Sequence, residues 1–245
     1  MATNIWFWII FNVVILGLLA LDLGVFHSKA HAVSIKEAAI WSAVWISLSL
    51  LFNLGIYFFE GKEIAMQFLA GYLIEKSLSV DNIFVFIMLF TFFQVPASYQ
   101  HRVLFWGILG ALIMRGALIG AGAFLIAQFS WVLYIFGAFL VYTGIRMALQ
   151  KDDIHVDVES NQAVKLLRRI FPITDGYRGQ KFFTVENGMR MATPLLVVLV
   201  IVETTDLIFA LDSIPAIFAV TQDPFIVYTS NVCAILGLRA LYFLL

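Results

Sequence analysis

The chain has 245 residues, of which 62% are hydrophobic and only 13% charged, a composition too apolar for an ordinary soluble domain. Its net charge of -1 gives no sign of a nucleic-acid partner, and its single cysteine excludes an internal disulfide and a cysteine-rich metal site. Apolar runs of about 20 residues, the length that crosses a hydrocarbon core, recur along the whole sequence. The sequence therefore predicts an integral membrane protein.

Hydropathy predicts an all-α, polytopic fold with at least seven transmembrane helices. In chain order the predicted spans are 5–25, 38–59, 64–93, 103–125, 131–149, 194–219 and 225–245. The polar segment 150–193 predicts a solvated cytoplasmic loop with one amphipathic helix around 161–171. This loop divides the chain into a first transmembrane half, 1–149, and a second transmembrane part, 194–245. Because RALYFLL ends the last span without a polar flank, further sequence is expected beyond it.

The distribution of basic residues predicts how the chain is oriented. The loops after spans one, three and five hold ten lysines and arginines, whereas the N-terminus and the other loops hold only Lys62. Basic loops remain on the cytoplasmic side, so the N-terminus is expected outside and the long loop in the cytoplasm. The ten residues are Lys29, Lys36, Arg102, Lys151, Lys165, Arg168, Arg169, Arg178, Lys181 and Arg190.

The stretch EKSLSVDN at 75–82 places three charges inside an otherwise apolar span. It matches DLIFALDS at 206–213: an acid, five further residues, an aspartate and a small polar side chain. In each half the next span carries an arginine in apolar surroundings, Arg115 in ALIMRGAL and Arg239 in AILGLRAL. Spans three and six must cross in opposite directions, so these motifs predict an inverted-topology repeat. A duplicated packing motif with no transport role is the alternative.

Charged side chains at the centre of a transmembrane helix each cost about 2.5–3.5 kcal/mol on insertion scales. Five acids fall in the middle portions of spans three and six, against three bases in spans three, four and seven. If all are ionised the formal charge is -2, which one divalent cation or two protons would neutralise. The acids are Glu75, Asp81, Glu203, Asp206 and Asp212, and the bases are Lys76, Arg115 and Arg239.

Helix geometry decides whether these acids can meet. At about 100° per residue, Glu75 and Asn82 share one face of span three, whereas Asp81 lies roughly 120° away. The matching acids of span six are separated in the same way, so straight helices would split each pair between two neighbours. Pro215 favours a break in span six that would let both acids converge, because it cannot donate a backbone hydrogen bond.

Carboxylates, an asparagine amide oxygen and a serine hydroxyl are hard oxygen ligands, which suit Mg²⁺, Ca²⁺ or Mn²⁺. We predict that these residues bind a cation or carry protons near the middle of the membrane. Asp22 is either a pathway acid or a boundary residue at the cytoplasmic end of span one. Arg115 and Arg239 are expected to be counter-charges, and Asn231 an interhelical hydrogen-bonding group. The predicted metal site comprises Glu75, Asp81, Asn82, Glu203, Asp206, Asp212, Ser213 and Asp22.

The blocks EKSLSVDN, ETTDLIFALDSIPA at 203–216 and NVCAILGLRALYFLL at 231–245 resemble the signature blocks of the TerC family of integral membrane proteins. The similarity covers nearly the whole chain, although family members usually continue past the final block with further hydrophobic sequence. Members are associated with tellurite resistance, and bacterial members of the Alx type with manganese export. The resemblance implies Mn²⁺ efflux, with the family's acidic motifs matched by Glu75, Asp81, Asn82, Glu203, Asp206, Asp212 and Ser213.

The leading expectation is an exporter in the cytoplasmic (inner) membrane that moves Mn²⁺ outward by alternating access in exchange for protons. Its partners are Mn²⁺ as cargo, protons and the lipid bilayer, and no cofactor is expected. An enzyme is not expected, because the GxGD block of intramembrane aspartyl proteases and the HExxH motif are absent from the sequence. The alternatives are an assembly or insertion factor for membrane proteins, and an exporter of another ion such as Ca²⁺ or one linked to tellurium stress.

Overall fold

The computed structural model describes residues 5–21, 34–149, 161–186 and 188–244, except for the side chain of Met147. In that part of the chain, helices alternate with short connections and one β-hairpin precedes the sixth long helix. The elements are α1 Ile5–Leu21, α2 Ile35–Glu60, α3 Lys62–Phe92, α4 Ala97–Gln128, α5 Val132–Leu149, α6 Gln162–Ile170, β1 Phe183–Glu186, β2 Met189–Ala192, α7 Pro194–Phe218, α8 Pro224–Leu236 and α9 Leu238–Leu244.

Most of these helices have the length and composition of membrane spans. Four stretches are long and apolar enough to cross a bilayer: α2, α4, α7 and the run Pro224–Leu244 that contains α8 and α9. α1 and the part Val132–Arg146 of α5 are apolar but shorter, and α3 carries the charges of EKSLSVDN. The predicted all-α membrane protein is confirmed. Helices lie at all seven predicted positions, while the number of crossings stays a prediction.

Small polar residues determine where several helices begin. Ser34 Oγ accepts a hydrogen bond from the backbone N–H of Glu37 and starts α2. Asn161 Oδ1 accepts from two backbone N–H groups at the start of α6, and Asp223 Oδ1 does the same at the start of α8. Each side chain satisfies donors that have no partner in the first helical turn. Pro224 then occupies the first position of α8, where its fixed φ suits the helix.

The centre of the molecule is formed by α3, α4, α7 and α8, which pack against one another. α3 and α7 are antiparallel: Thr221 Oγ1 donates to Gln67 Oε1 at 2.7 Å, and one turn further along α3, Gly71 faces Ile217. On its other side Gly71 faces Ser230 of α8. Helices that advance about 1.5 Å per residue from this shared register bring the acidic motifs 75–82 and 206–213 side by side.

The segment between α6 and α7 covers the connection from α3 to α4. Tyr177 donates its hydroxyl hydrogen bond to the carbonyl of Phe93 at 2.7 Å, and Gln180 donates to the carbonyl of Ser98 at 2.9 Å. Burial raises the pKa of Tyr177, which keeps the phenol protonated as a donor. The predicted amphipathic helix is confirmed as α6. The hairpin of β1 and β2 was not expected, because strands of four residues are too short to show a reliable alternation.

The break that Pro215 favours in span six does not occur. α7 is continuous over its 25 residues, and Pro215 lies three residues before the last one, so little helix remains beyond the hydrogen bond that it removes. The interruption falls instead in the last span, where Gly237 separates α8 from α9. Continuous α3 and α7 keep the two acids of each motif on different faces.

Gly71→Ala is expected to lower the free energy of unfolding by about 1–3 kcal/mol, the usual cost of overpacking a core. A Cβ at this position would lie 2.7 Å from Ser230 Oγ and 3.1 Å from Ile217 Cγ2. Gly120→Ala on α4 is the matched control, since a Cβ there meets nothing within 4 Å. Denaturant unfolding in detergent micelles measures both variants, and equal stabilities would contradict the close approach of α3, α7 and α8.

Candidate functional site

An arginine is buried at the middle of the four central helices. Arg115 of α4 is 1% exposed, and its guanidinium lies between Glu75 of α3 and Asp206 of α7. Its Nε and Nη2 donate to the two carboxylate oxygens of Asp206 at 3.0 and 2.8 Å. Its Nη1 donates to Glu75 Oε1 and, at 3.1 Å, to Asn231 Oδ1. One cation therefore holds two acids that come from different helices.

Asn231 of α8 completes this arrangement. Its amide nitrogen donates to Glu75 Oε2 at 2.9 Å, while its Oδ1 accepts from Arg115. All four carboxylate oxygens of the two acids thus have a partner from another helix. We call Glu75, Arg115, Asp206 and Asn231 the Arg115 cluster. The predicted counter-charge role of Arg115 and the predicted interhelical role of Asn231 both agree with these contacts.

The energetics of burial explain the shape of the Arg115 cluster. Taking an ion out of water costs several kcal/mol even after relaxation, and a buried pair offsets this only when its remaining hydrogen bonds are satisfied. A planar guanidinium has five N–H donors in a fixed fork, so Arg115 can bind Asp206 through two parallel hydrogen bonds and still donate to Glu75 and Asn231. Gly71 and Ser79, four residues to either side of Glu75, are also buried. These small residues leave room for the acid to reach α4 and α8.

Small residues on α4 bring α7 close to the cluster. A Cβ at Gly107 would lie 3.1 Å from Val202 Cγ1, and a Cβ at Gly110 would collide with the carboxylate of Glu203. Gly110 is therefore a positioning residue for Glu203 that the analysis of acidic motifs did not predict. The available signal was the pair of glycines in GILG, since small residues in membrane helices mark close helix contacts.

Glu203 extends the polar region along α7. It lies three residues before Asp206, a spacing that places both acids on neighbouring parts of one helix face. Its Oε2 is buried and has no hydrogen-bond partner among the described residues. A carboxylate oxygen that can still accept a hydrogen bond or a cation therefore lies close to the Arg115 cluster.

Asn82 and Ser213 are buried and each keeps an unsatisfied oxygen. Both side chains are 1% exposed, and neither Asn82 Oδ1 nor Ser213 Oγ has a hydrogen-bond partner within the described ranges. The antiparallel register of α3 and α7 puts Ser213 at the level of Glu75 and Asn82 at the level of Asp206. Hard oxygen atoms from both motifs thus share the depth of the Arg115 cluster.

A small cavity adjoins Asp206. Its volume is about 20 Å³, and it is lined by Asp206 and Arg239 together with Gly107 and apolar side chains of α3, α4, α7 and α8. That volume accommodates one water molecule, and the two charged groups supply polar partners that such a water requires. Arg239, the second arginine of the predicted repeat, is therefore placed beside Asp206 of α7.

Lys76 binds the interrupted last span. Its Nζ donates to the carbonyl of Ala234 at 3.2 Å, near the end of α8. Gly237, which separates α8 from α9, lies so close that a Cβ there would be 2.9 Å from this Nζ. A cation at the C-terminal end of a helix satisfies exposed carbonyls and interacts favourably with the helix dipole. This base of the EKSLSVDN motif therefore contacts a backbone carbonyl of α8.

The remaining predicted acids lie apart from the Arg115 cluster. Asp81 is exposed on the outer face of α3. Asp212 is half-buried on α7, where Arg146 of α5 lies within electrostatic range. The separation follows from the angle of roughly 120° between the acids of each motif on a continuous helix. Asp22 lies outside the described residues.

The charges that gather at the centre are balanced, in contrast to the -2 expected from sequence. Three acids and three bases lie there, since Asp81 and Asp212 do not take part. Within the described ranges, no three His, Cys, Asp or Glu side chains converge as they would around a metal ion. The assignment of the predicted residues as cation ligands stays a prediction. The balanced groups are Glu75, Glu203, Asp206, Lys76, Arg115 and Arg239.

Arg115→Met is expected to lower the free energy of unfolding by about 3–5 kcal/mol, because it leaves two buried carboxylates without their counter-charge. Combining it with Glu75→Gln and Asp206→Asn should recover part of this loss, since no buried charge then remains. Arg178→Met is the matched control: its pair with Glu186 is largely solvated, with side-chain exposures of 43% and 34%, and little change is expected. Denaturant unfolding compares the variants, and equal losses for both arginines would contradict the buried pair.

Comparison with known proteins identifies the chain as a member of a described family. A model of the integral membrane protein TerC family matches residues 60–245, which include the whole Arg115 cluster. The chain is 55% identical over 238 residues to an "Uncharacterized membrane protein STKORF319" of Myxococcus xanthus, covering 97% of this chain and 74% of that protein. No solved structure matches.

Other relatives bear a functional name. Over 244 residues the chain is 52% identical to the "Putative membrane-bound redox modulator Alx" of Escherichia coli K12, covering 96% of this chain and 76% of that protein. A protein of the same name from Photorhabdus laumondii is 51% identical over 247 residues, with coverages of 97% and 77%. Matches of this extent, together with the family model, show the family directly: this chain belongs to the TerC family of integral membrane proteins.

Proposed function

We propose that this chain exports Mn²⁺ from the cytoplasm in exchange for protons, with Glu75 and Asp206 as the central cargo-binding acids. One observation carries the proposal: two matched acids, each from one copy of the acidic motif, are buried on the same guanidinium. Ordinary packing requires no buried charges, whose removal from water costs several kcal/mol per ion before their contacts offset it. The resemblance to the TerC family supplies the choice of manganese among the hard divalent cations.

The proposal includes an inverted repeat that relates α3–α4 to α7–α9. Its support is that α3 and α7 are antiparallel and that their equivalent acids meet at Arg115. In transporters with inverted repeats, the cargo site lies near the membrane midplane between the two halves. Arg115, near the middle of α4, meets that expectation. The duplicated packing motif is disfavoured because it requires no carboxylates at this depth.

Arg115 would act as an internal substitute for the cargo. With Glu75 and Asp206 held by the guanidinium, the acids are neutralised without a metal ion, which describes a cargo-free state. Mn²⁺ would compete for the same oxygen atoms, with Asn82 and Ser213 as further hard ligands at that level. Glu203 Oε2, which lacks a hydrogen-bond partner among the described residues, is the acceptor to which the displaced guanidinium would move.

The balance of charges favours exchange over simple uptake. Because the central acids and bases already cancel, a divalent cargo brings two excess charges into the membrane, at a cost of several kcal/mol. Two protons moving inward for each Mn²⁺ moving outward would keep a full cycle electroneutral. Protonation of Glu75 and Asp206 from the outside would release the cargo, and loss of these two protons to the cytoplasm would return the ionised carboxylates to Arg115.

The proposed location is the cytoplasmic membrane, with the N-terminus outside and the α6–hairpin segment in the cytoplasm. The excess of basic residues on one set of loops supports this orientation. The packing of Tyr177 on the α3–α4 connection agrees, since both belong to the side that carries the basic residues. Cargo would therefore enter from the end of the molecule that the hairpin covers.

In liposomes that contain the purified protein and a pH-sensitive dye, we expect Mn²⁺ flux with a coupled pH change. Glu75→Gln and Asp206→Asn should each reduce the flux by at least about tenfold, because each removes a charge that the cation requires. Glu186→Gln in the hairpin is the matched control and should transport normally, since Glu186 pairs with Arg178 in solvent.

Equal leakage from all proteins would contradict the exporter and favour the assembly-factor alternative. Running the same assay with Ca²⁺ and Mg²⁺ separates manganese from other divalent cations. A flux that is selective for Ca²⁺ would retain the site but replace the cargo. Asp81→Asn and Asp212→Asn belong in the same series, because loss of flux in either variant would support its predicted role as a ligand.

Glu203→Gln is expected to slow Mn²⁺ flux while leaving the free energy of unfolding unchanged or slightly higher. The substitution removes a charge that is partly buried, and Oε2 has no hydrogen bond among the described residues to lose. Glu63→Gln, at the exposed start of α3, is the control and should change neither quantity. Normal flux with Glu203→Gln would contradict the acceptor role proposed for this side chain.

A further inference from the structure

The outer face of α3 is an exposed apolar stripe with one acid in its middle. Met66, Leu73, Phe84 and Met88 are 55%, 53%, 56% and 36% exposed, and Asp81 lies among them. With Asp81 included, successive members are seven, eight, three and four residues apart, the spacings of one helix face along which a second helix packs. Lipid alone would cover the apolar residues, but it offers no partner to the acid.

Asp81 requires a partner that the described residues do not supply. None of them donates a hydrogen bond to it or forms an ion pair with it. The residue lies about one and a half turns from Glu75 along α3, so it shares the central depth of the Arg115 cluster. An acid exposed to lipid at this depth costs about 2.5–3.5 kcal/mol or more, unless a cation or a polar group faces it.

The matching face of α7 shows how such an acid is accommodated. In the alignment of the two motifs, Asp212 corresponds to Asp81, and Pro215 corresponds to Phe84. This face of α7 is covered by α5, which places Arg146 within electrostatic range of Asp212. Nearer the other end of the contact, the ring of Phe136 packs 6.4 Å from that of Phe218. Thus α5, an apolar helix with Arg146 as its basic residue, covers Asp212.

We propose that the Asp81 face binds a transmembrane helix of a partner protein that carries a single arginine or lysine near its middle. The inference rests on the proposed repeat, in which the partner helix would cover α3 as α5 covers α7. It would run antiparallel to α3, with its basic side chain on Asp81 and its apolar side chains on Leu73 and Phe84. Charge complementarity favours this occupant, since a basic residue in lipid is costly by itself and both costs fall when the two charges meet.

The test uses a synthetic helix as the probe. A 20-residue leucine–alanine peptide with one central arginine is labelled with an acceptor dye, and a second peptide has leucine at that position. The full chain, with Cys233→Ala and a donor dye on Lys62→Cys, is reconstituted in phosphatidylcholine liposomes, and energy transfer is titrated against peptide. We expect the arginine peptide to bind at least about tenfold more tightly than the leucine peptide, a difference of about 1.4 kcal/mol.

Three variants make the result specific. Asp81→Asn should abolish the preference for the arginine peptide, and Asp81→Lys should transfer it to a peptide with a central glutamate. Asp212→Asn is the matched control and should leave the preference intact, since α5 already covers that acid. Unfolding measurements should show that Asp81→Asn is at least as stable as the wild type, because the substitution removes an exposed charge and breaks no contact among the described residues.

Several outcomes would overturn the proposal. Equal binding of the two peptides, or a preference that survives Asp81→Asn, would show that the face does not recognise a basic helix. Energy transfer between two labelled copies that Asp81→Asn abolishes would assign the face to a second copy of this chain. The assay contains no metal, so its result is independent of Mn²⁺ flux. A chain that binds the arginine peptide but fails to export would separate this inference from the proposed function.

Discussion

Two ionised carboxylates that are buried together in a membrane protein require a cation between them. Arg115 provides that cation, and the geometry of its guanidinium determines how the central helices are arranged. Glu75 of α3 and Asp206 of α7 must both lie within reach of this guanidinium, and α8 must supply the amide of Asn231 to complete the hydrogen bonds. The small residues at Gly71 and Gly110 are consequences of this requirement, because larger side chains would hold the helices too far apart.

The sequence was informative wherever a pattern is carried by one helix or by matched helices. Hydropathy located the helical segments, the matched motifs singled out Glu75 and Asp206, and their position within apolar runs predicted a counter-charge at Arg115. It was less informative where backbone geometry decides. Lys76 contacts a carbonyl near the end of α8, and nothing in a linear pattern shows that the helix interruption lies at Gly237 in the last span and not at Pro215 in span six. The partner of Asp212 is likewise visible only after α5 has packed on α7.

The balance of three acids and three bases changes what a cation must do at this site. A cage with a formal charge of -2 would attract a divalent ion from either side and release it with difficulty. A balanced cluster has no such excess, so an entering ion must displace a base that is already bound. The cargo-bound and cargo-free states of the proposed site would then differ in which cation neutralises the acids, which keeps the free-energy difference between these two states small. A transporter needs this property, because a site that holds its cargo too tightly cannot complete a cycle.

The two halves of the chain are most alike at their centre and least alike at their edges. Glu75 and Asp206 share one counter-charge, whereas Asp81 and Asp212 lie in different surroundings: one is exposed, and the other lies under α5 near Arg146. The two settings differ in free energy, since an acid exposed to lipid costs several kcal/mol and an acid near a basic residue costs much less. The exposed acid therefore either is satisfied by another helix or destabilises α3 relative to α7. In the proposed inverted repeat, such an imbalance would favour one of the two inverted arrangements, and a helix that covers Asp81 would then bias the direction in which the proposed cargo site opens.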